Sequence, residues 1–100
     1  MVREEIPDIP LPHALWTQLV EILDLPPQQL RIVELILRNR CDKQIAAALG
    51  IKVPTVRTYM HRIYERVGVA SRLELVLRVF AMSHTLPSFR TMTLPSMPSE

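Results

Sequence analysis

Cysteine occurs once in these 100 residues, at Cys41, so no disulfide can form within the chain. That fits a reducing compartment. Glycine occurs twice, at Gly50 and Gly68, which leaves no glycine-rich loop to cradle a phosphate and excludes the enzymes built on one. No apolar run reaches membrane-spanning length, and Met1–Pro12 lacks the basic patch and apolar stretch of a secretion signal. Cys41, His13, His61 and His84 are too widely spaced to read as a metal site. No nucleophile has a plausible base beside it, and Glu21 and Asp24 fit the polar face of a helix. Neither an enzyme nor a cofactor is expected.

What is present suits one domain of ordinary apolar content, 48% hydrophobic and 22% charged. A chain this short buries a modest fraction of its surface, and a partner subunit would add to it. The net charge of +2 hides an asymmetry. Residues 1–30 carry one cation, Arg3, against five acids. Residues 42–78 carry seven cations, Lys43, Lys52, Arg57, Arg62, Arg66, Arg72 and Arg78, against Asp42, Glu65 and Glu74. A local basic surface attracts phosphate more than the total charge does, although it also serves as an ordinary solvated helical face.

The apolar pattern has helical period throughout, so the fold class expected is all-α. Pro12 opens a helix carrying Leu15, Leu19, Ile22 and Leu23, with Trp16 and Val20 beside them. Pro26 and Pro27 end it and start a second, with Leu30, Val33 and Leu37 in a stripe that Ile32 and Ile36 widen. After a short connection Asp42 can cap a third helix, lined by Ile45, Ala46 and Leu49 and closed by Gly50. Pro54 sits in the first turn of a fourth, marked by Val56, Met60, Ile63 and Val67 and ended by Gly68. Ser71 and Glu74 have capping-box spacing for a fifth. Pro87, Pro95 and Pro98 forbid further long helix. The expected division is an arm and amphipathic helix over 1–24, a helix-turn-helix domain over 25–82 and an extended or disordered tail over 83–100. With Met1 at the start and a tail at each end, the chain is expected to stand alone.

The blocks Asp42-Lys43-Gln44-Ile45-Ala46, Leu49-Gly50-Ile51 and Thr55-Val56-Arg57-Thr58, continued by Gly68-Val69 and Ser71-Arg72-Leu73-Glu74-Leu75-Val76, resemble the LuxR-type helix-turn-helix family. A weaker match begins at Leu25-Pro26-Pro27-Gln28-Gln29, so the likeness covers roughly 25–80. It implies a four-helix DNA-binding domain, here with an additional N-terminal helix, in a transcription regulator of the bacterial cytosol and nucleoid. In that family the third helix, here over 53–67, enters the major groove, and the fourth commonly forms the dimer contact. Arg57, Thr58 and His61 fall where the family reads bases. Lys43, Thr55 and Arg62 fall at or near its phosphate contacts. The sequence departs from the family at four places. Pro26, Gln28 and Gln29 replace the usual Thr-x-Arg-Glu, Cys41 and Lys52 each replace a serine before a helix, and His61 replaces a lysine.

The residues support the same chemistry without the family. A helix fits the major groove of double-stranded DNA, and its first turns reach base edges best. Thr58, His61, Arg62 and Glu65 share the polar side of the 53–67 helix, with Arg57 beside them. Arg57 has a planar fork that matches guanine; the alternative is that Arg57 and Arg62 merely solvate the helix or pair with Glu65. Thr58 offers a hydroxyl and a methyl, and His61 donates or accepts. Lys52, at a helix N-terminus, opposes the macrodipole, and a DNA phosphate would relieve that clash; a lysine pointing to water is the alternative. Thr55 hydrogen-bonds either a phosphate or its own helix.

The last helix holds more apolar residues than one face needs. Leu73, Val76, Leu77 and Phe80 are assigned to the core. Leu75, Val79 and Met82 are assigned to a second stripe, covered by a twin subunit or by the first helix of the same chain. Leu75, Val79, Met82 and Trp16 are thus the expected homodimer interface. The competing function is a protein-interaction module that binds another regulator or RNA polymerase with little DNA affinity, or a sigma-factor-like module sharing the geometry.

Overall fold

The computed structural model describes residues 12–86. The arm over 1–11 and the tail beyond 86 lie outside the described residues. Among the described residues there are five α-helices and no strand: α1 (His13–Leu23), α2 (Pro27–Leu37), α3 (Asp42–Leu49), α4 (Val53–Val67) and α5 (Arg72–Ser83). The all-α class and the additional N-terminal helix stand as expected.

Local chemistry accounts for most boundaries. Pro27 occupies the first position of α2, where its missing N–H costs nothing. Gly50 and Gly68 end α3 and α4 at φ +69° and +84°, the left-handed region in which a side chain is strained. An added Cβ at either site would meet no atom within 4 Å, so the backbone angle, not the space, calls for glycine there. Ser71 Oγ accepts from the Glu74 N–H at 3.1 Å, and Glu74 Oε1 accepts from the Ala70 N–H at 2.9 Å, which closes the start of α5. The cap of α3 differs from expectation. Cys41 holds the N-cap position and Asp42 is the first helical residue, while Gln44 Oε1 accepts from the Cys41 N–H at 2.8 Å. Helix α5 also runs one residue into the expected tail: Ser83 belongs to it and is buried.

The core is shared by all five helices. Ile32 and Val33 of α2, Ile45 of α3, Val56 and Ile63 of α4 and Leu75 of α5 are fully buried, and Leu15, Leu19 and Leu23 of α1 join them. Helix α2 buries residues on several sides, as its apolar density requires. Its centre is Ile32, Val33 and Ile36, while Leu30 and Leu37 of the expected stripe are only partly buried.

One assignment on α5 is reversed. Leu75 and Val79, expected at a dimer interface, are 0% and 3% exposed and lie in the chain's own core. Met82 and Trp16 are partly buried and pack against the same core. Leu73, Leu77 and Phe80, expected inside, are 66%, 55% and 54% exposed. Helix α1 packs on α5 and takes the place that a twin subunit was expected to fill. Val76 alone of the expected core stripe is partly buried. The surplus apolar surface exists, but it is the other stripe.

Candidate nucleic-acid interface

Helices α3 and α4 pack directly against each other across the Gly50–Lys52 turn. The turn is fixed at both ends: the Ile51 N–H donates to the Ala46 carbonyl at 3.0 Å, and the Val56 N–H donates to the Lys52 carbonyl at 3.1 Å. Val56, Met60 and Ile63 anchor one side of α4 in the core. That anchoring sets its rotation and turns the opposite side to solvent. Arg57, Thr58, His61, Arg62 and Glu65 are all exposed, as are Lys43 on α3 and Lys52 and Thr55 at the start of α4. Every residue singled out for bases or phosphates is therefore accessible. The helix is about 22 Å long at 1.5 Å per residue, ample to follow a groove.

Each side chain is conditioned by a neighbour. The Thr58 hydroxyl donates back to the Pro54 carbonyl at 3.1 Å. Its proton is thus committed, and it faces outward as an acceptor and a methyl. The Arg62 guanidinium sits 5.8 Å from the centre of the Tyr59 ring, a cation–π contact that steadies a long side chain on a partly buried aromatic. Thr55, Thr58 and Arg62, with Pro54 and Tyr59, line an open surface cleft of about 310 Å³. His61 meets Tyr64 edge to face at 6.3 Å between ring centres. Burial pushes the Tyr64 phenol above its ordinary pKa; the Arg72 charge opposes that shift and the Asp42 charge reinforces it.

Arg57 has a partner that sequence reasoning missed. Its Nε donates to Asp42 Oδ2 at 3.2 Å, across from α4 to the first residue of α3, and not to Glu65. The other Asp42 oxygen faces Arg72 Nη1 at 3.8 Å, and Arg72 donates to the Arg40 carbonyl. Arg57 remains 66% exposed, so the pair orients the side chain without covering it.

The basic residues of the 42–78 segment divide by task. Arg66 donates to the Asp24 carbonyl at 3.0 Å and faces its carboxylate at 3.6 Å, tying α4 to the end of α1. Arg78 donates to the Val67 carbonyl at 3.2 Å and satisfies the end of α4. Arg72 serves the α2–α3 connection. Lys43, Lys52, Arg57 and Arg62 remain on the open side. No sequence signal distinguishes the two sets, because the partners lie 11 to 42 residues away.

Lys52 is the N-cap of α4, extended at φ −90° and ψ 155°, with no side-chain cap bond. Serine there would accept from an orphan N–H, and it would remove a cation from the positive end of the helix dipole. Lys52→Ser is expected to stabilise the fold by about 0.5–2 kcal/mol, seen as a raised melting temperature, and to weaken DNA binding in a gel shift. A variant that loses both properties, or changes neither, would overturn this role for Lys52.

The family profile of bacterial regulatory proteins of the luxR family matches residues 24–79. The chain belongs to that family. The family is one of bacterial regulatory proteins. Two relatives agree. The luxR-family chain is 36% identical over 64 residues to the response regulator Rre1 of Synechocystis, covering 64% of this chain and 27% of that protein. It is 29% identical over 73 residues to the HTH-type transcriptional regulator MalT of Serratia proteamaculans, covering 73% of this chain and 8% of that one. The chain therefore spans about a quarter or less of the length of these relatives. No solved structure gives a significant match. Among the described residues no helix is long and apolar enough to cross a membrane, and no group of His, Cys, Asp and Glu is arranged to hold a metal ion.

Proposed function

We propose that this chain is a sequence-specific DNA-binding transcription regulator that lays α4 in the major groove of double-stranded DNA. One observation carries the proposal: Arg57, Thr58 and His61 stand exposed in succession along the outward side of the second helix of a luxR-family helix-turn-helix. Arg57 pairs its fork with guanine, Thr58 accepts from an amino group or packs its methyl on thymine, and His61 reads the next step. Lys43, Lys52, Thr55 and Arg62 flank this row and take phosphates. A place in the bacterial cytosol follows from that task, as does a role like the one named for the MalT relative, a transcriptional regulator.

The regulator acts as a homodimer through Leu73, Leu77 and Phe80 of α5, in place of the residues first expected from the sequence. These three follow i, i+4, i+7 spacing and expose large side chains that water solvates poorly. A two-fold dimer then binds paired half-sites about one helical turn of DNA apart. The same stripe is what a protein-interaction module would use to hold RNA polymerase or another regulator, and salt dependence separates that alternative.

Selection of bound duplexes from a random pool, repeated with Arg57→Ala, tests the proposal. The variant is expected to melt as the parent does, because a largely exposed ion pair contributes only about 0–1 kcal/mol. It is expected to lose the preference at one base pair in each half-site, at a cost of about 1–3 kcal/mol per site. An unchanged selected sequence would overturn the assignment of Arg57.

A further inference from the structure

We infer that Asp42 is a positioning residue for base recognition, a carboxylate on α3 that aims the Arg57 guanidinium into the groove and exchanges some DNA affinity for selectivity. The inference rests on the assignment of Arg57 to a base. An arginine on an exposed helix face has many rotamers, and ordering it on DNA costs conformational entropy. Asp42 reduces that cost beforehand. Its Oδ2 takes the Nε–H of Arg57 at 3.2 Å, which leaves both terminal amino groups of the guanidinium available as an end-on fork. That fork matches the two major-groove acceptors of guanine.

The carboxylate is itself held. Asp42 is the first residue of α3, where the helix dipole favours an anion, and its Oδ1 faces Arg72 Nη1 at 3.8 Å. Arg72 is in turn bonded to the Arg40 carbonyl and opens α5. The starts of α3 and α5 thus fix the acid, and the acid fixes the reading side chain of α4. Asp42 is only partly buried, at 30% side-chain exposure, so its negative charge also acts on phosphates brought to Lys43 and Lys52. Removal of that charge therefore has two opposite effects. Attraction to any DNA rises, while discrimination at the base under Arg57 falls.

Asp42→Asn and Asp42→Ala are to be prepared in the parent and in the Arg57→Ala background. Each is then titrated with the duplex selected by the parent, the same duplex changed at the Arg57 base pair, duplexes changed elsewhere, and a scrambled duplex. Asp42→Ala is expected to reduce discrimination at the Arg57 base pair by about two- to tenfold, the range that ordering one long side chain spans. Discrimination at other base pairs is expected to hold, and the scrambled duplex to bind as tightly as before or more so. In the Arg57→Ala background the added change at Asp42 is expected to leave discrimination unaltered. Asp42→Asn keeps the shape of the α3 start and loses the charge, so it serves where the alanine variant melts early. Loss of preference at every base pair, weaker binding to the scrambled duplex, or the same loss without Arg57 would overturn the inference and mark Asp42 as a structural tie. If Arg57→Ala alone leaves all preferences in place, the base assignment fails and this inference with it; if Arg57→Ala loses one preference and Asp42 variants lose none, only the inference fails.

Discussion

Leu75→Ala is expected to destabilise the folded chain by about 2–5 kcal/mol, the range for truncating a leucine in a packed core. For a domain of this size that is a fall of roughly 10–30 °C in melting temperature, and a matching shift in the urea midpoint. Leu75 is 0% exposed and α1 packs on the helix that carries it, so the cavity left has no solvent to fill it and little freedom to collapse. Leu77, two residues on, is 55% exposed. Leu77→Glu is expected to leave the monomer's stability within about 0.5 kcal/mol, as surface changes usually do. It is expected to break the proposed dimer into monomers in sedimentation, because a charge placed in an apolar contact stays unpaired. The two variants make opposite predictions from opposite sides of one helix, because two residues span about half a turn. A Leu75→Ala protein as stable as the parent would show that α5 is rotated relative to the structure described here.

Binding to the selected duplex is expected to weaken about 10³-fold between 50 and 200 mM salt. Lys43, Lys52 and Arg62 each neutralise a phosphate in the proposed complex, so a dimer covers about six, and the logarithmic slope is near −5. The measurement is a gel shift or anisotropy titration across that range. Lys43, Lys52 and Arg62 stand on the open side of α3 and α4, while Arg66, Arg72 and Arg78 are tied to backbone carbonyls of the chain itself. A slope near zero would favour the interaction module, whose apolar contact through Leu73, Leu77 and Phe80 does not release counterions.

The helix-turn-helix was legible because its signals are local. Pro54 in a first turn, Gly50 and Gly68 at left-handed ends, and the Ser71–Glu74 cap each act within a few residues, so order along the chain suffices to recognise them. The stripe Val56, Met60, Ile63 and Val67 was equally clear, since Arg57, Thr58, His61, Arg62 and Glu65 leave the opposite side of α4 polar and set which rotation buries the helix.

Helix α5 offered no such choice. Its two stripes, Leu73-Val76-Leu77-Phe80 and Leu75-Val79-Met82, share one period, and periodicity reports that a face exists without saying which neighbour it meets. The packing of α1 against α5 decided it, by bringing Leu15, Leu19 and Leu23 into the core that Leu75 and Val79 complete. The partner of Arg57 was hidden for a similar reason. Asp42 lies 15 residues away on another helix, and only the crossing of α3 and α4 brings the two within 3.2 Å. By itself the sequence determined the helices, their ends and the polar side of α4, because those depend on backbone chemistry and on contacts three or four residues apart. Tertiary structure alone decided which apolar stripe of α5 is core and which cations stay open to a ligand, because both depend on distances between segments that no local rule contains.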